Sequence, residues 1–314
     1  MGPFKKVRET FIKSLTRRTH IFFGRITPIT VPSWPMCILV AGDINATVNS
    51  SIDAHILIHV GHLSPTVLDN QRLRGGAVKF FMQRTWSHKS VCPRYVVGGQ
   101  HESWLYEGNT EHEGVEWNVR EGTLRYVFQK EHITTCRSVG YLLSRFRPVR
   151  VICDPALPVD DEDWQEHFGM PQCYPASADD GRWNHMPTQG PTQILITRMA
   201  PKYYDDYLEG EAISKGSQGL LKMLWSTKPS LLVVGHDQSR PEVFVLRYDS
   251  AQRAFERSCG RGTGGLLNMP AWRDLFIVIA GGIRNFFSAT LGQDTDKART
   301  LLVTGGIKLR PVYI

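Results

Sequence analysis

The apolar residues of this 314-residue chain come in short runs, rich in Val, Ile and aromatics and bounded by Gly, Pro or Asn. None approaches the ~18 consecutive residues that a membrane-spanning helix needs. Strand-like runs occupy 36–40, 52–60, 77–86, 95–97, 115–119, 123–129 and 149–153. After a break they resume at 193–197, 231–234, 243–248, 275–280 and 301–309. Helical spacing stands out only near the N-terminus and around 212–225, and no regular alternation of strands and helices is visible. The pattern therefore predicts a mainly β fold, sandwich- or barrel-like, with a basic N-terminal helix and few other helices. An α+β arrangement is the alternative.

Charge divides the chain further. Residues 1–25 carry seven basic side chains (Lys5, Lys6, Arg8, Lys13, Arg17, Arg18, Arg25) and one acid, Glu9. Drawn as a helix, this segment sets Phe4, Val7, Phe11, Ile12 and Leu15 on one side and Lys6, Lys13 and Arg17 on the other. It reads as a cationic amphipathic arm suited to an anionic surface. Residues 154–191 hold six of the 18 prolines and eight acids against one base, Arg182, so they read as an acidic, Pro-rich linker or loop. The expected organisation is an arm (1–25), a β-rich domain (26–153), the linker (154–191) and a second β-rich unit (192–314). Opposite charge lets the arm dock on 154–191 until an anionic target displaces it.

Four motifs carry candidate chemistry. His55, His59 and His62 lie close together in one segment. On a strand, residues four apart are separated by about 13 Å, so one zinc ion cannot take both His55 and His59, and no metal site is expected. His62-Leu63-Ser64 and His132-Ile133-Thr134 form a pair of His-x-Ser/Thr elements that resembles the two-histidine phosphoesterases. The resemblance implies one His as general base, the other as general acid, and Ser64 and Thr134 holding phosphate oxygens of a phosphodiester. Gly260-Arg261-Gly262-Thr263-Gly264-Gly265 satisfies G-x-G-x-x-G without a preceding buried strand, leaving Arg257 and Arg261 as an anion-contacting loop. Gly75-Gly76 and Gly281-Gly282 each open a similar pattern ending in Phe-Phe, which reads as a glycine turn entering a strand.

The six cysteines are scattered, with no close pair, as expected of thiols in a reducing intracellular compartment. A basic arm ahead of a β-rich body is similar in layout to small viral coat, matrix or movement proteins. That likeness implies a non-enzymatic, self-associating structural protein without cofactors. Its partners would be RNA, DNA or an anionic membrane, contacted through Lys5, Lys6, Arg8, Lys13, Arg17 and Arg18, with Phe4, Phe11 and Leu15 packing or inserting. Peripheral membrane attachment fits the same arm. Two further readings compete: a phosphoesterase using His62 and His132, and a mitochondrial protein whose first 25 or so residues are a cleaved presequence.

Overall fold

A computed structural model describes residues 11–28, 37–41, 56–61, 94–98, 125–126, 131–136, 147–154, 157–159, 173–175, 179–184, 194–204, 216–235, 243–261, 268–292, 298–304 and 310–313. Two sheets form its frame. In the first, β1 (Cys37–Ala41), β2 (Ile56–Gly61), β3 (Arg94–Gly98) and β4 (Arg125–Tyr126) run parallel, and β13 (Arg310–Tyr313) pairs antiparallel with β1. In the second, β6 (Arg147–Asp154), β9 (Ile194–Thr197), β10 (Leu231–Val234) and β12 (Arg299–Thr304) run parallel. Antiparallel β5 (Glu131–Cys136) and β11 (Val243–Arg247) close its two ends, giving the order β11-β12-β10-β9-β6-β5. A short parallel pair, β7 (Leu157–Val159) and β8 (Cys173–Pro175), lies within the acidic stretch.

Period-2 alternation decides what each face of the second sheet meets. Ile194, Ile196, Leu231, Val233 and Val303 pack with Ile38, Val40, Ile58 and Val60 of the first sheet. The intervening Leu195, Leu232, Val234 and Leu302 meet a helical layer instead. With both faces covered, the central strands are continuous apolar runs, as buried parallel strands are. The helical layer comprises α3 (Gln218–Thr227), α4 (Ser250–Gly260) and α5 (Met269–Thr290). A short helix, α2 (Asp179–Asn184), buries Trp183 against α3, and α1 (Phe11–Ile26) packs along α5 and α4.

The helices have local causes. Ser217 caps α3 by accepting from Leu220 N–H, Asp249 caps α4 by accepting from Gln252 N–H, and Asn268 caps α5 ahead of Pro270 in its first turn. Lys228 ends α3 in the left-handed conformation, its N–H returning to Leu224 O.

This architecture overturns the mainly β expectation. A mixed sheet, in which β11, β12, β10 and β9 lie side by side, is covered by helices rather than closed into a sandwich or barrel. Nor are the two element types segregated as in an α+β fold, because α3 connects β9 to β10, and α4 with α5 connects β11 to β12. The error is clearest at 275–280, whose β-branched run reads as a strand but lies inside α5. Its buried residues Asp274, Leu275, Val278, Gly281, Gly282, Asn285 and Ala289 recur at helical steps. Gly281-Gly282 is therefore no turn: Gly281 abuts Ala251 and Gly282 abuts Phe23, each too closely for a Cβ. Gly75-Gly76 lies outside the described residues.

The N-terminal helix is also placed differently. Ile12 and Thr16 are buried, and His20 stacks on Phe255 of α4 with ring centroids 4.0 Å apart. Phe23 meets Gly282. The inward stripe is thus Ile12, Thr16, His20 and Phe23, whereas Phe11 points outward. This segment is a packed helix of the body, not a tethered arm. Lys5, Lys6, Arg8 and Phe4 lie outside the described residues.

Candidate functional site

The two sheets share one carboxyl edge. Gly235, the residue after β10, lies so close to Val60 of β2 that a Cβ on it would sit 1.6 Å from Val60 Cγ1. Its N–H donates to Thr197 O at the end of β9, at 2.9 Å. The carboxyl ends of β2, β9 and β10 therefore converge, and the chain leaving them continues in sequence as His62 after β2, Arg198 after β9 and His236-Asp237 after β10. Gly42-Asp43 follows β1, and Gly99-Gln100-His101-Glu102 follows β3. In parallel α/β sheets the carboxyl edge is where ligands bind, because connecting segments there are free to carry function. Arg198 is only 4% exposed, so it brings a positive charge into the protein at this edge. Thr197 Oγ1 donates to Met199 O at 2.8 Å, fixing the turn in which Arg198 lies.

Register places the second of the two His-x-Ser/Thr elements. His132 pairs with Val151, Val151 with Ile194 and Ile194 with Leu231, so His132 lies level with the start of β10. It stands three strands, about 14 Å, sideways from β10 and four residues, about 13 Å, back from Gly235. Thr134, opposite Val149, lies two residues further back. Combined, these offsets place His132 about 19 Å from the edge where β2 ends. His62 and Ser64 themselves lie outside the described residues, as does His55. His59 is fully buried on β2. Among the described residues no group of three His, Cys, Asp or Glu forms a metal cluster.

A second polar centre lies between α1, α4, α5 and β11. Asp249 accepts from Asn285 Nδ2 at 2.7 Å and from Gln252 N–H at 2.9 Å, and Arg284 approaches it at 3.8 Å. Asp249, Asn285 and Gln252 border a cavity of ≈ 30 Å³ that also touches His20, Thr27 and Arg247. That volume suits one or two waters, and Asn285 Oδ1 and Gln252 Oε1 have no hydrogen-bond partner among the described residues. Desolvation lowers the His20 pKa to about 4 against the opposing pull of Asp249, so its imidazole is neutral at pH 7. One turn further along α4, burial raises the Glu256 pKa to about 7, although Trp225, Gln252 and Tyr204 hydrogen-bond to its carboxylate. Trp225 Nε1 and Gln252 Nε2 each donate at 2.9 Å, and Arg253 lies 4.7 Å from the Trp225 ring.

Arg257 and Arg261 both engage the fully buried Asp274, at 3.0 and 2.6 Å. Gly260 ends α4, so the G-x-G-x-x-G segment leaves a helix C-terminus, where the dipole disfavours anions. The segment 262–267 lies outside the described residues. Of the acidic stretch, Asp179 is committed to α3: it accepts from Trp183 Nε1 at 3.1 Å, Gly219 N–H at 2.9 Å and Ser217 Oγ. Residues 160–166 lie outside the described residues.

No family model matches the chain, and no curated protein does. Four solved chains match. One of them aligns at 14% identity and a TM-score of 0.44, over 66% of this chain and 86% of its own length, a likeness too low to carry an argument. No helix among the described residues is long and apolar enough to cross a membrane.

Proposed function

We propose that this chain binds a phosphate ester at the shared carboxyl edge of its two sheets and hydrolyses it there. The carrying observation is the approach of Gly235 to Val60, which brings the ends of strands from both sheets to one place. The residues that follow are the types such chemistry needs. Arg198 offers positive charge to a phosphoryl group, and His62, His236 and Asp237 offer groups that accept and deliver protons near neutrality. Gly61 and Gly98 end β2 and β3 at this edge without side chains that would crowd an anion. The coat-, matrix- or movement-type reading rested on a free cationic arm, and with α1 packed into the body it loses that support. His132, offset from that edge by register, is not part of the proposed site.

The test is turnover of 4-nitrophenyl phosphate and bis(4-nitrophenyl) phosphate, with magnesium, with manganese and without added cation. The expected result is hydrolysis that falls at least tenfold in His62→Ala and in His236→Ala and is unchanged in His132→Ala. Absence of turnover under all three conditions, or equal loss in His132→Ala, would overturn the proposal.

A further inference from the structure

Outward from the sheets, α1 and α5 present a surface the carboxyl-edge site does not use. On α1 the exposed residues Phe11, Arg18, Phe22 and Arg25 recur at steps of seven, four and three, so they form one stripe. On α5 the exposed residues Arg273, Phe276, Ala280, Ile283 and Phe287 recur at three, four, three and four. The helices are packed neighbours through Phe23 and Gly282. Phe11 is 65% exposed, Phe22 56%, Phe276 63% and Phe287 58%. Large apolar side chains so exposed, repeated on two adjacent helices, mark an interaction surface.

Charge chooses the occupant. α1 contains Lys13, Arg17, Arg18 and Arg25 and no acid. α5 adds exposed Arg273, while Arg284 approaches Asp249 at 3.8 Å, and its one acid, Asp274, is buried and engaged by Arg257 and Arg261. A second copy of the same face would set these cations against their own kind. A nucleic acid would satisfy the arginines and stack on the rings, but offers nothing apolar to Ile283, Ile26 or Leu291. An anionic bilayer satisfies both: phenylalanines and aliphatics enter the headgroup–acyl boundary while arginines reach the phosphates. We infer that the α1–α5 face docks on the surface of an anionic lipid membrane.

Co-sedimentation of the full chain with vesicles tests this. Vesicles containing phosphatidylserine are expected to bind at least tenfold more protein than pure phosphatidylcholine, and 0.5 M NaCl should remove most of the difference. Phe22→Ser combined with Phe287→Ser should cut binding at least tenfold while leaving the thermal midpoint unchanged, because both rings are exposed. Should that pair lower the midpoint, Arg18→Gln with Arg273→Gln serves instead, and is expected to lose the preference for phosphatidylserine. Equal binding to both lipids, unchanged binding by a folded variant, or no vesicle binding alongside dimerisation or RNA binding through the same residues would overturn the inference. None of these outcomes depends on phosphate-ester turnover.

Discussion

Substituting Gly235 by alanine places a methyl 1.6 Å from Val60 Cγ1 and 2.6 Å from Val60 Cβ. Val60 is 1% exposed, held in a strand and packed in the core between the sheets, so it cannot swing away. Relief must come from separating the sheets at their carboxyl edge. Overpacking of a well-filled core costs about 1–3 kcal/mol, and an approach this short belongs at the upper end, about 3 kcal/mol. Val60→Ala alone leaves a void and should cost about 2 kcal/mol. Combined, the new methyl takes up room the two Cγ atoms vacated, although Val60 Cβ stays close. The double variant should therefore lose about 3 kcal/mol rather than the additive ~5 kcal/mol, a coupling of about 2 kcal/mol. Urea unfolding followed by circular dichroism measures it, provided the slope against denaturant is the same in all four proteins. Independent sites add to within about 0.5 kcal/mol, so a coupling inside that margin would refute the contact between β2 and β10.

The remaining predictions concern the helical layer. Glu256, raised to about 7 from 4.5, binds its proton more tightly folded than unfolded, so its contribution is full below pH 4.5 and lost as pH rises through 7. His20, lowered to about 4 from 6.5, acts oppositely: its contribution is full above pH 6.5 and lost as pH falls toward 4. The two slopes oppose each other between pH 4.5 and 6.5. Chemical denaturation across pH should show stability rising with pH there in Glu256→Gln and falling in His20→Phe. Asp274→Asn should cost less than Arg257→Gln with Arg261→Gln: the arginines are 45% and 29% exposed and can rehydrate, whereas the double variant strands a buried carboxylate at about 3–5 kcal/mol. Thermal melts compare the two. Gly282→Ala puts a methyl 2.3 Å from the Phe23 ring, against a helix-propensity gain of about 1 kcal/mol, and should loosen α1. Limited proteolysis should then cut within α1 faster, with Phe23→Ala restoring protection in the double variant.

The strands were readable where burial on both faces made them unbroken apolar runs, as at 194–197 and 231–234. The helices were harder. α4, with the sequence SAQRAFERSCG, buries only Ala251, Gln252, Ala254, Phe255 and Ser258, a stripe too small and polar to stand out. α5 misled in the other direction, because its β-branched centre, LFIVIA, has strand composition while Asp274 and Asn285 sit among its buried positions. The Asn268 cap and Pro270 were the local signals that would have corrected it. Within the basic N-terminal segment Phe11–Ile26 is helical, but amphipathicity cannot say whether the apolar side faces a membrane or α5. Structure divides it, with Ile12 inward and Phe11 outward. The carboxyl edge was not visible in advance, since His62, Arg198 and His236 are far apart in sequence. Strand-to-sheet assignment was needed to bring the ends of β2, β9 and β10 together.

The central claim, a phosphate-ester site at that edge, is tested most directly by locating where phosphate binds. Amide chemical shifts of the full chain should be followed during titration with inorganic phosphate. Saturable changes confined to Gly61, Gly98, Thr197, Arg198 and Gly235 are the predicted result. Shifts that never saturate, or that fall on α1 and α5 while those five amides stay still, would contradict it.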